Sequence, residues 1–593
     1  IIVFMKDFFK NVFATFVGVF LFGLVTLLFG LVCVFGMILS SDGTAEIKDN
    51  SVLVVDLSGV LNERSKEDVM AKFTGRVAAN ISLEDIISGL KKAKSDDKIK
   101  GIYLEAGAFA PGSYASLQEI RDALVDFKKS RKWIVAYGDN YTQSAYYLAS
   151  VADKIYLNPQ GMLDWHGLAS QHVYLKDMLA KFGVKMQVSK VGKYKSATET
   201  FTEEKMSDFD RLQTTAYLNG IWKHLTKGVS ESRKVSVAKL NEYADSMITF
   251  ATPGDYIKMK LIDKLLYTDQ VKGEIKKRLG INADDEIHQV SPADLSTIDE
   301  EKKGEEIAVY YAYGDIVDAQ VAGAFSNKDV IVGKDVCKDI EKLMKDDNVK
   351  AVVIRVNSGG GSAFASEQMW HQIMELKKVK PVVISMGGYA ASGGYYMSAP
   401  ANWIVAEPTT ITGSIGIFGM FPDFSGLASE KLGIKFDEVK TNKNAAFGST
   451  VRPYNAEELR MLQTYIDRGY VTFKNRVAQG RKLTMQQVET IAQGHVYTGE
   501  DALKIKLVDE LGGLDKAIAK AAKLAKIEKY HQVSYPAPVS WIDQILGSDV
   551  QGNYLNDQLR TSLGMLYEPF AMLRTINQQS AIQARIPYYI NIN

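Results

Sequence analysis

The sequence predicts an α/β fold, duplicated in tandem behind a membrane-spanning helix, on three observations. Val12 to Leu39 is an almost unbroken apolar run without a charged residue, longer than the roughly 20 residues that cross a bilayer as a helix. Short β-branched runs alternate with amphipathic stretches through the rest of the chain, the pattern of a parallel sheet with crossover helices. The chain also matches itself. Tyr146-Tyr147-Leu148, Ala152-Asp153-Lys154-Ile155 and Pro159 fall in step with Tyr395-Tyr396-Met397, Ala401-Asn402-Trp403-Ile404 and Pro408 at a constant offset of 249.

The apolar run has Lys6 and Lys10 before it and Asp42 and Glu46 after it, so the positive-inside rule leaves the N-terminus in the cytoplasm and the rest of the chain outside. In a bacterium that is a single pass through the inner membrane, with the folded part on the periplasmic side. The run exceeds the core of a cleaved signal and no A-x-A site follows it, so an anchor is expected. The four residues before Met5 read as an extension upstream of the natural start.

After a polar linker, Ser41 to Asn50, the strand Ser51 to Leu57 opens the first copy, and Glu306 to Ala312 opens the second. Within the second copy the expected order is strand Ala351 to Val356, helix Ala365 to Lys378, strand Pro381 to Ile384, a helix after Ser392, and strand Trp403 to Ala406. The strand at 381–384 is expected to break at its glycines into a tight turn. Polar Ser296 to Gly304 links the copies. The division expected is therefore 1–11 cytoplasmic, 12–39 anchor, 51–295 first copy, 305–530 second copy and 531–593 extension. In the extension, Trp541 to Leu546 and Leu563 to Leu573 are apolar enough for helices against a membrane, a partner subunit or the core.

A chain of 593 residues exceeds one core, and 71 Lys+Arg against 70 Asp+Glu gives no field that recommends a nucleic-acid partner. Of the two cysteines, Cys33 lies in the apolar run, so no intramolecular disulfide is expected with Cys337. No H-E-x-x-H, C-x-x-C, Walker loop or strand-borne G-x-G-x-x-G occurs, and no metal or cofactor is expected.

Chemistry concentrates at Ser385 to Ser398 (SMGGYAASGGYYMS), where Ser392 sits at a strand-to-helix turn among glycines. Differences between the copies single it out further: the offset puts Gln143 opposite Ser392, and Ser144, one place along, points about 100° away. None of the seven histidines has a triad setting, and His495 reads as structural. A lysine base is left. Lys195 in the first copy aligns with Ala445 in the second at an offset of 250. To act, its pKa must fall by roughly 3 units, about 4 kcal/mol, which burial supplies. Lys193 beside Gly192 looks more exposed, yet spacing alone leaves it a competitor. The loop Asn357 to Ser362 (NSGGGS) offers the N–H groups of Gly360 and Gly361, with that of Gly393, to an oxyanion. Ser414 in TGSIG, with Trp165 opposite it in the first copy, can hold the lysine toward Ser392.

VGKYKSA, RVNSGGGS, SMGGYAASGGYY, TGSIGIFG and AQGHVYTGEDA together closely resemble the signal peptide peptidase A (protease IV) family of serine–lysine peptidases, in its long two-copy bacterial form, from the anchor to about residue 530. The resemblance implies Clp protease/crotonase-like (β-β-α) units. It also implies that Ser392 is the nucleophile, Lys195 the base and Ser414 the hydroxyl that orients the lysine. A bowl-shaped homotetramer that cuts hydrophobic signal-peptide remnants at the membrane follows from it too. This chain departs at Gly359, where the family usually has proline, so a more mobile loop is expected. Two other classes compete: a catalytically silent membrane scaffold of the same fold, and an acyl-CoA enzyme of the crotonase kind.

Overall fold

The structure is a computed structural model and describes residues 2–41, 47–65, 80–296, 298, 302–319, 329–537, 559, 562–564, 567 and 582–586. The apolar run forms one helix, Ile2–Ser41, of which Lys10–Gly30 is long and apolar enough to cross a membrane. Its large side chains from Val12 to Phe29 are exposed, packed on neither copy.

Both copies build a parallel sheet with the same order of strands. In the first, Ser51–Asn62, Ile99–Ala110, Trp133–Gly138, Lys154–Leu157 and Lys264–Leu265 lie side by side, with Gln289–Val290 on the outer edge of Ser51–Asn62. In the second, Glu305–Tyr313, Val349–Ser358, Val382–Ala391, Trp403–Ala406 and Glu510–Leu511 repeat that order, with Tyr530–Tyr535 in the outer place. The strands are rich in Val and Ile and buried on both faces because helices cover them, as a parallel sheet demands. Those helices begin where the sequence can cap them. Ser113 caps Tyr114–Phe127 and Ser362 caps Ala363–Val379, each accepting from a backbone N–H three residues on.

One expected element differs. The strand starting near Pro381 does not break at Gly387 and Gly388; it runs as Val382–Ala391 straight up to Ser392. These glycines serve close approach and not a turn. A Cβ on Gly387 would stand 2.8 Å from Glu63 Oε1, and one on Gly388 2.5 Å from Ser113 Cβ, so the first copy packs onto the bare backbone.

A third sheet joins the copies in the order Val330–Val332, Asp315–Val317, Gly360–Ser362, Ile582–Arg585, Phe418–Asp423, Lys185–Lys190. Lys185–Lys190 of the first copy pairs antiparallel with Phe418–Asp423 of the second and carries the chain toward Lys195. Trp541 to Leu546, most of Leu563 to Leu573, and the flanking Asp42 and Glu46 lie outside the described residues.

Candidate active site

Ser392 stands between the strand Val382–Ala391 and the helix Gly393–Ser398 at φ 54° and ψ −111°. A side chain in that region costs about 1–3 kcal/mol and persists only where the surroundings hold it. Here the Ser392 N–H donates to Gly413 O at 2.8 Å, and the Ser392 carbonyl accepts from Tyr396 N at 2.7 Å. The glycines that follow are required by space, since a Cβ on Gly394 would lie 2.8 Å from Ser358 O and one on Gly393 2.7 Å from Ser366 Oγ.

Lys195 comes from the other copy and is held by the backbone of the second. Tyr194 N donates to Gln493 O at 3.0 Å, and Gly494, at φ 78°, lies so close that a Cβ there would be 2.7 Å from Lys195 Cβ. Gln213 ties the two segments, donating to Tyr194 O at 3.1 Å and accepting from Val496 N at 3.2 Å. The result brings three predicted residues together: Lys195 Nζ is 2.7 Å from Ser392 Oγ, 3.0 Å from Ser414 Oγ and 3.1 Å from Ser414 O. Ser392, Lys195 and Ser414 are each 0% exposed. Burial alone pushes the Lys195 amine well below its ordinary pKa. Lys193 is exposed, with its amine 5.6 Å from the centre of the Phe209 ring, and takes no part in the cluster.

Ser414 is also left-handed, at φ 50°, and its N–H donates to His495 O at 2.7 Å. His495 thus acts through its carbonyl, while its ring packs 4.2 Å from those of both Tyr194 and Tyr497. Burial lowers its pKa to about 4.

The glycine loop is a paired strand, Gly360–Ser362, with Gly360 at φ 102°. The Gly360 N–H is engaged by Ser358 Oγ at 3.1 Å, and Gly393 N lies 2.8 Å from where a Cβ of Gly360 would be. Gly359 O, at the residue that departs from proline, accepts from Ile586 N at 2.8 Å.

The corresponding corner of the first copy is filled. Gln143 donates to Gly167 O at 3.1 Å and accepts from the N–H groups of His166 and Gly167, and Trp165 is buried with its indole N–H on Leu240 O. Ala445, opposite Lys195, is exposed.

Sequence reasoning missed what docks the copies. Arg355, wholly buried, donates to Glu63 Oε2 at 3.0 Å, Glu119 Oε1 at 2.5 Å and Ser385 Oγ at 3.1 Å. Asn357 Nδ2 donates to Glu63 Oε1 at 2.8 Å, so a first-copy carboxylate holds the start of the glycine loop. A lone charge inside the apolar run AVVIRV was the available signal.

Residues 126–282 and 374–528 each match Peptidase family S49. "Protease 4" of Salmonella typhi is 37% identical over 528 residues, covering 86% of this chain and 84% of that protein. "Serine protease SPPA, chloroplastic" of Arabidopsis thaliana is 32% identical over 524 residues, covering 85% of this chain and 75% of that protein. Among solved structures, ClpP1 from Listeria monocytogenes is 16% identical with a TM-score of 0.22, covering 35% of this chain and 91% of that chain.

Proposed function

The chain belongs to peptidase family S49 and is a serine peptidase, a hydrolase of peptide bonds, and from that premise we propose that Ser392 is its nucleophile and Lys195 its general base. The observation that carries this is the uncharged setting of a wholly buried amine 2.7 Å from the Ser392 hydroxyl. A neutral amine has two N–H donors and one lone pair. Ser414 O and Ser414 Oγ take the two donors, which leaves the lone pair for the Ser392 proton.

In acylation the Ser392 proton passes to Lys195 Nζ as Oγ bonds to the peptide carbonyl carbon. The developing oxyanion lies toward the N–H groups of Gly393 and Gly361, that of Gly360 being held by Ser358 Oγ. Lys195 then protonates the departing amine. Water, deprotonated by the same lysine, hydrolyses the ester and frees Ser392.

Substrates are extended hydrophobic peptides, signal-peptide remnants among them, reached at a membrane surface. The exposed apolar helix Lys10–Gly30 is the anchor, and it holds the folded part on the periplasmic side of a bacterial inner membrane. In this division the copy at 51–295 brings the base, the copy at 305–530 the nucleophile, and the assembly is a homotetramer.

A fluorophosphonate added to the purified chain should modify Ser392, as located by mass spectrometry. Lys195→Ala should lose labelling and peptide hydrolysis by about 10²–10⁴-fold, whereas Lys193→Ala keeps both. Full labelling in Lys195→Ala would end the assignment of the base. A chain that binds apolar peptides and never labels would be the silent scaffold.

A further inference from the structure

The hydroxyl and the amine are closed off from solvent, and the segment Ile582–Arg585 lies beside this corner, its Ala584 carbonyl next to Gly360 and Gly393. Ile582–Arg585 runs antiparallel to Gly360–Ser362 on one side, with Gly360 opposite Arg585, Gly361 opposite Ala584 and Ser362 opposite Gln583. On its other side it runs antiparallel to Phe418–Asp423, with Phe418 opposite Gln583 and Gly419 opposite Ile582. Those two flanking strands do not pair with each other. Without the segment they would face one another across about 10 Å, two strand spacings, with two unpaired backbone edges. A slot one strand wide, open on both edges, accepts an extended peptide by strand addition.

The seating is close. Ala584 is 0% exposed and Ile586 3%. The Ala584 carbonyl oxygen stands 3.0 Å from where a Cβ of Gly393, the residue after Ser392, would be, a tight fit, and 2.0 Å from that of Gly360, where only glycine admits it. Arg585 pairs with Asp315 at 3.1 Å. A Cβ on Gly359 would lie 2.8 Å from Ile586 Cγ1, so the position where this chain departs from its related loop is the one that makes room for the segment.

We propose that Ile582–Ile586 is a built-in occupant of the substrate groove, bound as a peptide strand is bound, and that it must leave before a peptide reaches Ser392. Calling this slot the substrate groove rests on the reading of Ser392 as nucleophile. The occupant is tethered to the same chain, so it competes at high effective concentration, and a peptide substrate enters only by displacing it.

The test uses the full-length chain carrying Ala584→Trp or Ile586→Asp, both in the segment and outside the Ser392, Lys195 and Ser414 cluster. Two rates are read: amide hydrogen exchange at Gly360–Ser362 and fluorophosphonate labelling of Ser392. Both should rise about tenfold in each variant, because an overfilled or charged side chain no longer fits the buried position. The synthetic peptide Ile-Gln-Ala-Arg-Ile should slow both again. Exchange at Gly360–Ser362 equal in the parent and in both variants would overturn the proposal, whatever the labelling. Faster exchange in the variants with no label on Ser392 in any chain would leave the occupant in place and instead remove Ser392 as the nucleophile.

Discussion

Lys195 Nζ stands 2.7 Å from Ser392 Oγ, and burial is what holds this amine's pKa down. Deprotonation therefore accompanies folding. Between the lowered folded value and the ordinary value near 10.5, the unfolded chain carries a proton that the folded chain lacks, so stability rises with pH across that window. Below the folded value both states are protonated and the slope vanishes. Lys195→Met should melt higher than the parent at neutral pH and flatten the profile of Tm against pH, while abolishing labelling. Parallel Tm profiles from about pH 5 to 9 would mean that the folded amine is charged there.

Ser414 offers Lys195 two acceptors, and only one of them is a side chain. Ser414→Ala keeps the carbonyl contact and removes the hydroxyl, a loss of about 0.5–1.5 kcal/mol, or roughly 2- to 13-fold in rate. The change should fall on kcat with KM unmoved, since the bond aims the base and touches no substrate. Ser414→Gly, which also relieves the left-handed φ of 50°, should show the same kcat loss with higher stability than Ser414→Ala. A KM effect in both variants would place Ser414 in peptide binding instead.

Local pattern carried the repeat, the alternation of strands and helices in each copy and the candidates Ser392, Lys195 and Ser414, because duplication makes each divergence visible against its twin. Gln143 against Ser392 and Ala445 against Lys195 are such contrasts. Contacts between the copies were not legible. Gly387 reads as a turn residue until Glu63 is found packed on it, and Gly494 reads as loop until Lys195 is seen lying against it. The strand Ile582–Arg585 had no signal of its own, since four residues far from their partners carry neither periodicity nor a twin in the other copy.

Arg355 is the charge on which the two copies meet. Arg355→Met leaves Glu63 and Glu119 buried without their guanidinium, and breaking such a pair from one side costs about 3–5 kcal/mol. The variant should unfold at clearly lower denaturant. Glu63→Gln and Glu119→Gln added to Arg355→Met should recover much of the loss, because the charges left unmatched are then gone. If the single variant unfolds at the parent's midpoint with an unchanged slope, other contacts hold the copies together.

The first copy supplies an internal control on what makes a serine reactive. Its strand Trp133–Gly138 stops short of the helix Gln143–Ala149, which Thr142 caps in extended backbone; Gln143 occupies the nucleophile's place, Trp165 that of Ser414, and exposed Ala445 aligns with Lys195. Gln143→Ser would put a hydroxyl at the matching place, without the left-handed backbone of Ser392 and with no amine to take its proton. In a chain also carrying Ser392→Ala, intact mass after fluorophosphonate treatment should show no adduct, whereas the parent takes one per chain. An adduct at residue 143 would mean that a serine at this helix start reacts without an amine beside it. Lys195 would then not be needed as the base, and the 2.7 Å contact would be packing without chemistry.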